Sequence, residues 1–416
     1  MKKKGLLLIY CLIIICILSA CGKEKMEAEN ISDGAIRTTG EQQEKTATFC
    51  ESWDFEGGFF TVLSPNLTAN YGSYNYLSNF YDTLVKYDDN KIVPSLAQKW
   101  EISKDGREYT FHLKNGVKFS DGRELNSEAV KKSIENAPKL LGKYNGAYGI
   151  TSTLIEKVEA LDKDTVKIIL KSPYYGALHD LTMTNTFGIM SPTAYKEDGS
   201  LSEETKTKTF GTGPYMYKGK KEKDSYYFVL NPYYTGEVPV LSSFNVKTIP
   251  DNDPKLLALQ SGEIHMILGS NNISYDSYKK FEKEDKIHGV ISKKKDVTRF
   301  LGLNASIKPF DDCEVRLAIN HAIDKNSIAK DIFHGFEDVA NTFLSPDLPY
   351  CNVPLKGYNY NVKEAEKILD NAGWRKNSNG IREKNGIKLE GNLLYMSGLA
   401  DEETLASKIS SDLSKI

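Results

Sequence analysis

Cys21 is the residue for which the sequence predicts a specific chemistry. Three lysines at positions 2–4 precede an apolar run from Leu6 to Ile17, and Leu18-Ser19-Ala20-Cys21 follows it. A run of about a dozen residues is too short to span a hydrocarbon core of roughly 30 Å, and small residues before a cysteine suit a signal peptidase. We therefore expect a lipoprotein signal peptide over residues 1–21, with palmitate-type lipidation at Cys21. The alternative is an uncleaved anchor helix.

Other reactive side chains show no catalytic or metal-binding spacing. The sequence contains no HExxH, GxSxG, phosphate-loop or dinucleotide motif. The hypothesis from another functional class is a hydrolase. A hydrolase would need such a nucleophile or a set of metal ligands. We therefore expect no enzyme and no resident cofactor. The wide spacing of the six histidines favours packing or surface roles for them: His112, His179, His265, His288, His321 and His334.

The spacing of the cysteines after the lipidation site does not predict a disulfide framework. They are Cys50, Cys313 and Cys351, an odd number at wide spacing without a CxxC pair. This pattern gives no zinc site and leaves one disulfide among the three open. Disulfides are therefore not the main source of stability.

Length and charge limit the class of protein further. A chain of 416 residues is long enough for two domains, and its net charge of -2 gives no cationic field for nucleic acid. Residues 22–46 are polar and predict a disordered tether that lifts the folded part from the membrane. The charge balance predicts no nucleic-acid partner. Because no second apolar run approaches spanning length, we expect contact with the membrane only through the lipid.

Strand patterns occur along most of the chain. Tyr109-Thr110-Phe111-His112-Leu113 alternates with period two, which is typical of a half-buried strand. Residues 165–170, 226–230 and 244–249 predict further strands. The last of these leads into Pro250-Asp251, which suggests a crossing point between lobes.

Capping residues predict the helices that alternate with these strands. Asn126 is expected to begin a helix that Pro138 ends. A second helix is predicted with Asp253 as its cap, Pro254 at its first helical position and Gly262 just past its end. Further helices are predicted over residues 311–321, 361–371 and from 403 onward. The mixture of strands and helices indicates an α/β protein.

Recurring sequence blocks cover the chain from about Glu51 onward. They include Gly116-Val117-Lys118-Phe119-Ser120-Asp121-Gly122, Gly211-Thr212-Gly213-Pro214-Tyr215, Leu257-Ala258-Leu259-Gln260-Ser261-Gly262-Glu263-Ile264 and Val315-Arg316-Leu317-Ala318-Ile319-Asn320. Together they resemble the family 5 extracytoplasmic solute-binding proteins of peptide and nickel ABC importers. Three stretches are most similar to the nickel-binding branch: Tyr174-Tyr175, residues 343–350 and residues 381–386.

The resemblance implies where a ligand would bind. The positions that match the family's ligand-facing residues are Tyr71, Tyr74, Asn75, Tyr148 and Asn185. Asn185 stands where the nickel branch has an arginine that clamps a carboxylate. Losing that bidentate, charge-assisted grip indicates a different organic chelate.

The resemblance also implies an architecture and partners. We expect a two-lobed periplasmic-binding-protein-like α/β fold with a ligand cleft that closes by a hinge. The predicted division is lobe I with an inserted subdomain over residues 47–250 and lobe II over 251–416. Because family members continue past Ile416, we expect lobe II to be incomplete and without the residues that distinguish nickel from peptide ligands.

The function implied is a lipid-anchored, monomeric binding component that delivers its ligand to an ABC permease and ATPase. The expected ligand is nickel or a metal chelate, carried as cargo. A di- or oligopeptide is the alternative within the same fold, and an extracytoplasmic hydrolase is disfavoured.

Overall fold

The computed structural model describes residues 45–61, 72–89, 91–268, 272–293, 297–346, 348 and 351–416. The predicted signal peptide, Cys21 and Tyr71 lie outside the described residues. So does the predicted tether, except for Lys45 and Thr46.

Strands occur in two runs along the chain. Those up to residue 268 are β1 Thr46–Glu51, β2 Val85–Asp88, β3 Lys91–Pro94, β4 Ala97–Ile102, β5 Glu108–Leu113, β6 Ile155–Asp162, β7 Thr165–Leu170, β8 Tyr215–Glu222, β9 Ser225–Leu230, β10 Ser243–Thr248 and β11 Met266–Ile267. The later ones are short: β12 Arg375–Lys376, β13 Arg382–Lys384 and β14 Ile387–Lys388.

Six helices of seven or more residues lie among the described residues. They are α1 Ser127–Leu141, α2 Asn252–Ser261, α3 Tyr275–Phe281, α4 Cys313–Ala322, α5 Val362–Asn371 and α6 Glu402–Leu413. Single helical turns occur at Leu77–Asn79, Gly142–Tyr144, Thr151–Leu154, Ala177–Asp180, Thr184–Phe187, Pro192–Ala194, Glu203–Lys206, Lys325–Ser327 and Ile328–Ile332.

Two sheets form the framework of the first part of the chain. The mixed five-stranded sheet has the order β11-β1-β10-β9-β8, and β1 is parallel to both of its neighbours. The four-stranded sheet has the order β4-β5-β7-β6 and is antiparallel throughout. Mixed sheets and intervening helices confirm the predicted α/β class.

Buried and half-buried residues alternate along the strands of the antiparallel sheet. Tyr109, Phe111 and Leu113 of β5 are buried, and the residues between them are half-buried. The same alternation holds in β7, which pairs with β5. One face therefore packs against α1 while the other is partly accessible, as the period-two pattern predicts.

The first helix begins as predicted but continues past its proline. Asn126 accepts a hydrogen bond from the Ala129 amide at 2.9 Å, which caps the helix. The prediction that Pro138 ends α1 is wrong, because the helix runs to Leu141. Ala137 and Leu141, on either side of the proline along the chain, are buried in one hydrophobic cluster. The last turn is then closed by Gly142, whose amide donates to the Pro138 carbonyl.

The other predicted helices are present with small shifts at their ends. Helix α2 begins at Asn252, two residues before the predicted first helical position, and ends at Gly262 in the left-handed region at φ 78°. Helix α5 begins after Asn361, whose side chain accepts from the Glu364 amide at 3.0 Å. Helix α4 begins after Asp312 in the same way.

The hydrophobic clusters divide at a defined point along the chain. Clusters beside the two large sheets draw their members from residues 49–267, whereas another cluster draws on residues 275–416. We call the described residues up to 268 the N-terminal region and those from 272 onward the C-terminal region. The division into lobes at residue 250 stays a prediction. Residues just beyond it, Ala258 and Ile264, pack with Cys50 of β1.

The described cysteines are free thiols. Cys50 is buried, Cys313 is exposed and Cys351 is half-buried. Burial raises the pKa of Cys50 to about 11, so this thiol stays protonated at neutral pH.

Candidate ligand-binding site

Tyr74 and Asn75 lie on a turn that packs closely against the segment after β1. Gly72 permits this approach, because a Cβ atom at that position would lie 2.4 Å from the carbonyl oxygens of Trp53 and Asp54. Tyr74 is 43% exposed. Asn75 is also exposed, but its Nδ2 donates to Glu51 Oε2 at 3.3 Å. The turn thus presents an aromatic ring and a carboxamide to solvent from a fixed backbone.

Asn185 lies in the helical turn Thr184–Phe187 and is only 8% exposed. Its Nδ2 atom and the neighbouring Thr186 Oγ1 have no hydrogen-bond partner among the described residues. The turn contacts both α1 and the Leu77–Asn79 turn that follows Asn75. The structure therefore brings the turn that carries Asn185 against the turn that follows Asn75 in the chain.

Tyr148 lies on the loop that follows α1. The half-buried ring packs against Ala137 and Leu141 at the end of that helix. Asp180 fixes the loop, because its Oδ2 accepts from the Thr151 amide at 2.9 Å and from the Thr151 hydroxyl at 2.6 Å. Helix α1 therefore positions the segments of both Tyr148 and Asn185. The ligand-facing role of these residues stays a prediction, and Tyr71 lies outside the described residues.

A buried polar cluster beneath Asn75 had no sequence signal. It consists of Glu51, Ser52, Lys255 and Asn272, whose exposed fractions are 1%, 5%, 1% and 5%. Helix α2 buries Lys255 while Leu257 on the same helix is 65% exposed, which inverts the expected pattern. Burial lowers the pKa of Lys255 and raises that of Glu51. Only the folded structure places these charges inside.

The described part of the chain lacks two features. It contains no group of three or more His, Cys, Asp or Glu side chains that could hold a metal ion. In the same residues, no helix has both the length and the apolar character needed to cross a membrane.

Comparison with known proteins places the chain in a family. The model of the bacterial extracellular solute-binding proteins, family 5 (middle), matches residues 91–416. The chain belongs to this family. Its match covers most of the N-terminal region and all of the C-terminal region, and it confirms the resemblance noted in the sequence blocks.

Individual relatives carry different ligands in their names. The nickel-binding periplasmic protein of Escherichia coli K12 is 31% identical over 342 residues, which are 82% of this chain and 64% of that protein. The glutathione-binding protein GsiB of Pectobacterium atrosepticum is 31% identical over 326 residues, 76% of this chain and 60% of that protein. The chain thus spans less than two thirds of the length of these relatives.

A solved structure supports the fold assignment. NikA from Brucella suis, in complex with Fe(III)-EDTA, superposes with a TM-score of 0.77 at 31% identity, over 89% of this chain and 73% of that one. The match confirms a fold of the periplasmic-binding-protein kind. The relatives are named as binding proteins, which agrees with the expectation of no enzyme.

Proposed function

We propose that this protein captures a small ligand outside the cytoplasmic membrane and delivers it to the permease and ATPase of an ABC importer. Membership of the solute-binding family and relatives with periplasmic binding roles support this function. Lipid on Cys21 would anchor the chain, with residues 22–46 as the tether. The proposal includes a monomeric binding protein.

The proposed ligand is nickel or another transition metal carried as an organic chelate. A relative is named for nickel, and the solved NikA structure holds a metal chelate. A chelate presents carboxylate oxygens as hydrogen-bond acceptors, and Asn185 offers a buried Nδ2 donor without a partner among the described residues. An unsatisfied buried donor costs about 1–3 kcal/mol. Ligand binding that satisfies it would recover this cost, and this observation carries the proposal.

A peptide is the second candidate. A relative is named for glutathione, a peptide whose carbonyl and carboxylate oxygens could also accept from Asn185. The exposed ring of Tyr74 and the half-buried ring of Tyr148 offer apolar faces with one hydroxyl each, which suit a peptide or a chelate equally.

Calorimetry separates these candidates. The full chain, purified in detergent, is titrated with nickel plus L-histidine and, separately, with glutathione. We expect saturable binding of nickel with histidine and no turnover. Binding of glutathione alone would favour the peptide importer, hydrolysis of glutathione or a peptide panel would indicate an enzyme, and binding of neither would contradict the proposal.

A pair of asparagine variants tests the site itself. Asn185→Ala should weaken binding about tenfold, which corresponds to one hydrogen bond. Asn231→Ala is the matched control, because Asn231 is 4% exposed but its side chain is satisfied by the Gly213 carbonyl at 2.9 Å and the Tyr233 amide at 3.0 Å. The control should lose stability without losing affinity. Equal affinities for Asn185→Ala and the unchanged chain would remove Asn185 from the site.

A further inference from the structure

Lys255 lies at the centre of a buried hydrogen-bond network. Its Nζ donates to Ser52 Oγ at 2.6 Å and to the Asn272 carbonyl at 3.4 Å. Ser52 Oγ in turn donates to Asn272 Oδ1 at 2.9 Å. One ammonium thus fixes both the residue after β1 and the residue that opens the C-terminal region.

The same network extends to Asn75. Glu51 Oε1 accepts from the Ser52 amide at 2.8 Å, and Glu51 Oε2 accepts from Asn75 Nδ2 at 3.3 Å. Asn75 therefore has its carboxamide held by a buried carboxylate that is joined to the lysine through Ser52. The order of contacts is Asn75, Glu51, Ser52, Lys255 and Asn272.

The ends of this network belong to different parts of the chain. Asn75 belongs to the predicted ligand-facing set of the N-terminal region. Asn272 follows β11, the edge strand beside β1, and precedes α3, whose Tyr275 packs in the C-terminal core. A further contact between the regions, from Gln260 Nε2 to Glu284 Oε1 at 3.3 Å, is exposed. The Lys255 network is a buried link between the same two regions.

Burial makes this link sensitive to its charge. A buried ammonium and a buried carboxylate are each costly alone, and removing one leaves the other uncompensated. Loss of the Lys255 charge would therefore disturb Glu51 and, through it, Asn75. It would also release the Asn272 carbonyl, and it would weaken the hydrogen bond from Ser52 Oγ to the Asn272 side chain.

We propose that Lys255 is a positioning residue for ligand capture, which couples the orientation of Asn75 to the start of the C-terminal region at Asn272. The lysine does not touch the ligand. This inference rests on the proposed function for the role of Asn75, while the coupling itself can be measured without any ligand.

Amide hydrogen exchange of the full chain tests the coupling. In Lys255→Met, exchange should become at least several-fold faster in two separate segments, residues 72–80 and residues 272–281, with β5 and β7 unchanged. Lys247→Met is the control, since Lys247 lies on β10, the other neighbour of β1, and its side chain pairs with Glu263 and not with the Lys255 network, so it should affect neither segment. Faster exchange in only one segment, or in neither, would overturn the proposal.

Two further variants keep the test decisive if Lys255→Met does not fold. Ser52→Ala removes the hydroxyl between Lys255 and Asn272 and should give the same two-segment pattern at smaller size. Lys255→Arg keeps the charge and should restore most of the protection. Accelerated exchange in Ser52→Ala confined to its own loop would equally overturn the coupling.

Affinity provides the functional readout. If the unchanged chain binds nickel with histidine or glutathione, Lys255→Met should weaken that binding about tenfold and Lys255→Arg should recover it. An unchanged affinity together with two-segment exchange would contradict the positioning role while leaving the proposed function intact. If the unchanged chain binds neither probe, the proposed function fails, and the positioning role for ligand capture fails with it even where the exchange pattern is present.

Discussion

In the N-terminal region aromatic rings fill the space beside the five-stranded sheet, whereas in the C-terminal region buried charged groups hold short elements together. Phe228 stacks on Phe80 at 5.0 Å and on Phe244 at 4.8 Å between ring centroids. In the C-terminal region, Arg382 and Asp412 are 4% and 0% exposed and serve as hydrogen-bond centres. The contrast shows one chain using two means of stabilisation.

Both regions expose large apolar side chains, such as Tyr175 at 96% in the N-terminal region, but in the C-terminal region they follow one another more densely along the chain. Large side chains of the C-terminal region are open to solvent, among them Val290 at 91%, Phe300 at 68%, Phe343 at 66% and Leu394 at 88%. Side chains exposed to this extent add little burial free energy. These side chains lie outside the hydrophobic cluster of the C-terminal region, which has buried charged groups beside that cluster, so the two regions should respond differently to core and charge substitutions.

The largest expected effect is loss of a buried ring. Phe228→Ala should lower the free energy of unfolding by about 3–5 kcal/mol, because it leaves a cavity among several rings. Urea unfolding with hydrogen exchange would assign the loss to the N-terminal region. Tyr227→Ala on the same strand is the control and should cost clearly less, since Tyr227 is only half-buried. Similar losses for both would mean that the aromatic cluster is not the main source of stability.

Arginine substitution probes the C-terminal region. Arg382 Nη1 donates to Asp370 Oδ1 at 2.7 Å and to the Trp374 carbonyl at 2.8 Å, and its Nε donates to the Ile416 carbonyl. Arg382→Met should cost about 1.5–3 kcal/mol, the range for hydrogen bonds of charged groups. Urea unfolding of the full chain would measure this loss.

Arg375 provides the matched control for that experiment. It pairs with the same Asp370 at 3.2 Å, but its side chain is 66% exposed. Arg375→Met should therefore cost about 0–1 kcal/mol. If both variants lost the same stability, burial of Arg382 would not be what strengthens the C-terminal region.

Local signals explain what the sequence could predict. Strand β5 and the caps Asn126 and Asn361 follow from patterns contained within a few residues. The prediction for Pro138 was wrong because the local proline rule takes no account of tertiary packing, and the residues on either side of it, Ala137 and Leu141, belong to a hydrophobic cluster. Strands of two or three residues, such as β12 and β14, are too short to show any period.

The candidate site also has a part that the sequence could predict and a part that it could not. Asn185 could be proposed from the family resemblance, but its unsatisfied Nδ2 depends on contacts between distant segments. Lys255 and Glu51 had no signal, since charged residues are usually exposed and only tertiary packing buries these two. Chemistry that depends on burial therefore had to come from the structure.

The smallest expected effect concerns pH, and it has opposite signs in the two regions. Burial raises the pKa of Glu51 above its usual 4.5. For Asp412, burial also acts to raise the pKa, but hydrogen bonds from Lys408 and Lys415 outweigh it and lower the pKa below 3.8. One buried carboxyl group thus favours the protonated form, and the other favours the ionised form.

The signs follow from the protons bound in each state. A raised folded pKa for Glu51 means that stability falls as pH rises from 4.5 through the folded pKa, so the difference in stability between Glu51→Gln and the unchanged chain should shift toward the variant over that window, whatever the cost of its lost hydrogen bonds. A lowered pKa for Asp412 means that stability is present above 3.8 and is lost as pH falls, so Asp412→Asn should be destabilised at pH 7 and converge with the unchanged chain in acid. A tenfold change in proton affinity corresponds to about 1.4 kcal/mol. Urea unfolding between acid and neutral pH would measure both differences. Parallel pH profiles for the two variants would contradict the contrast, because they would require both carboxyl groups to favour the same protonation state on folding.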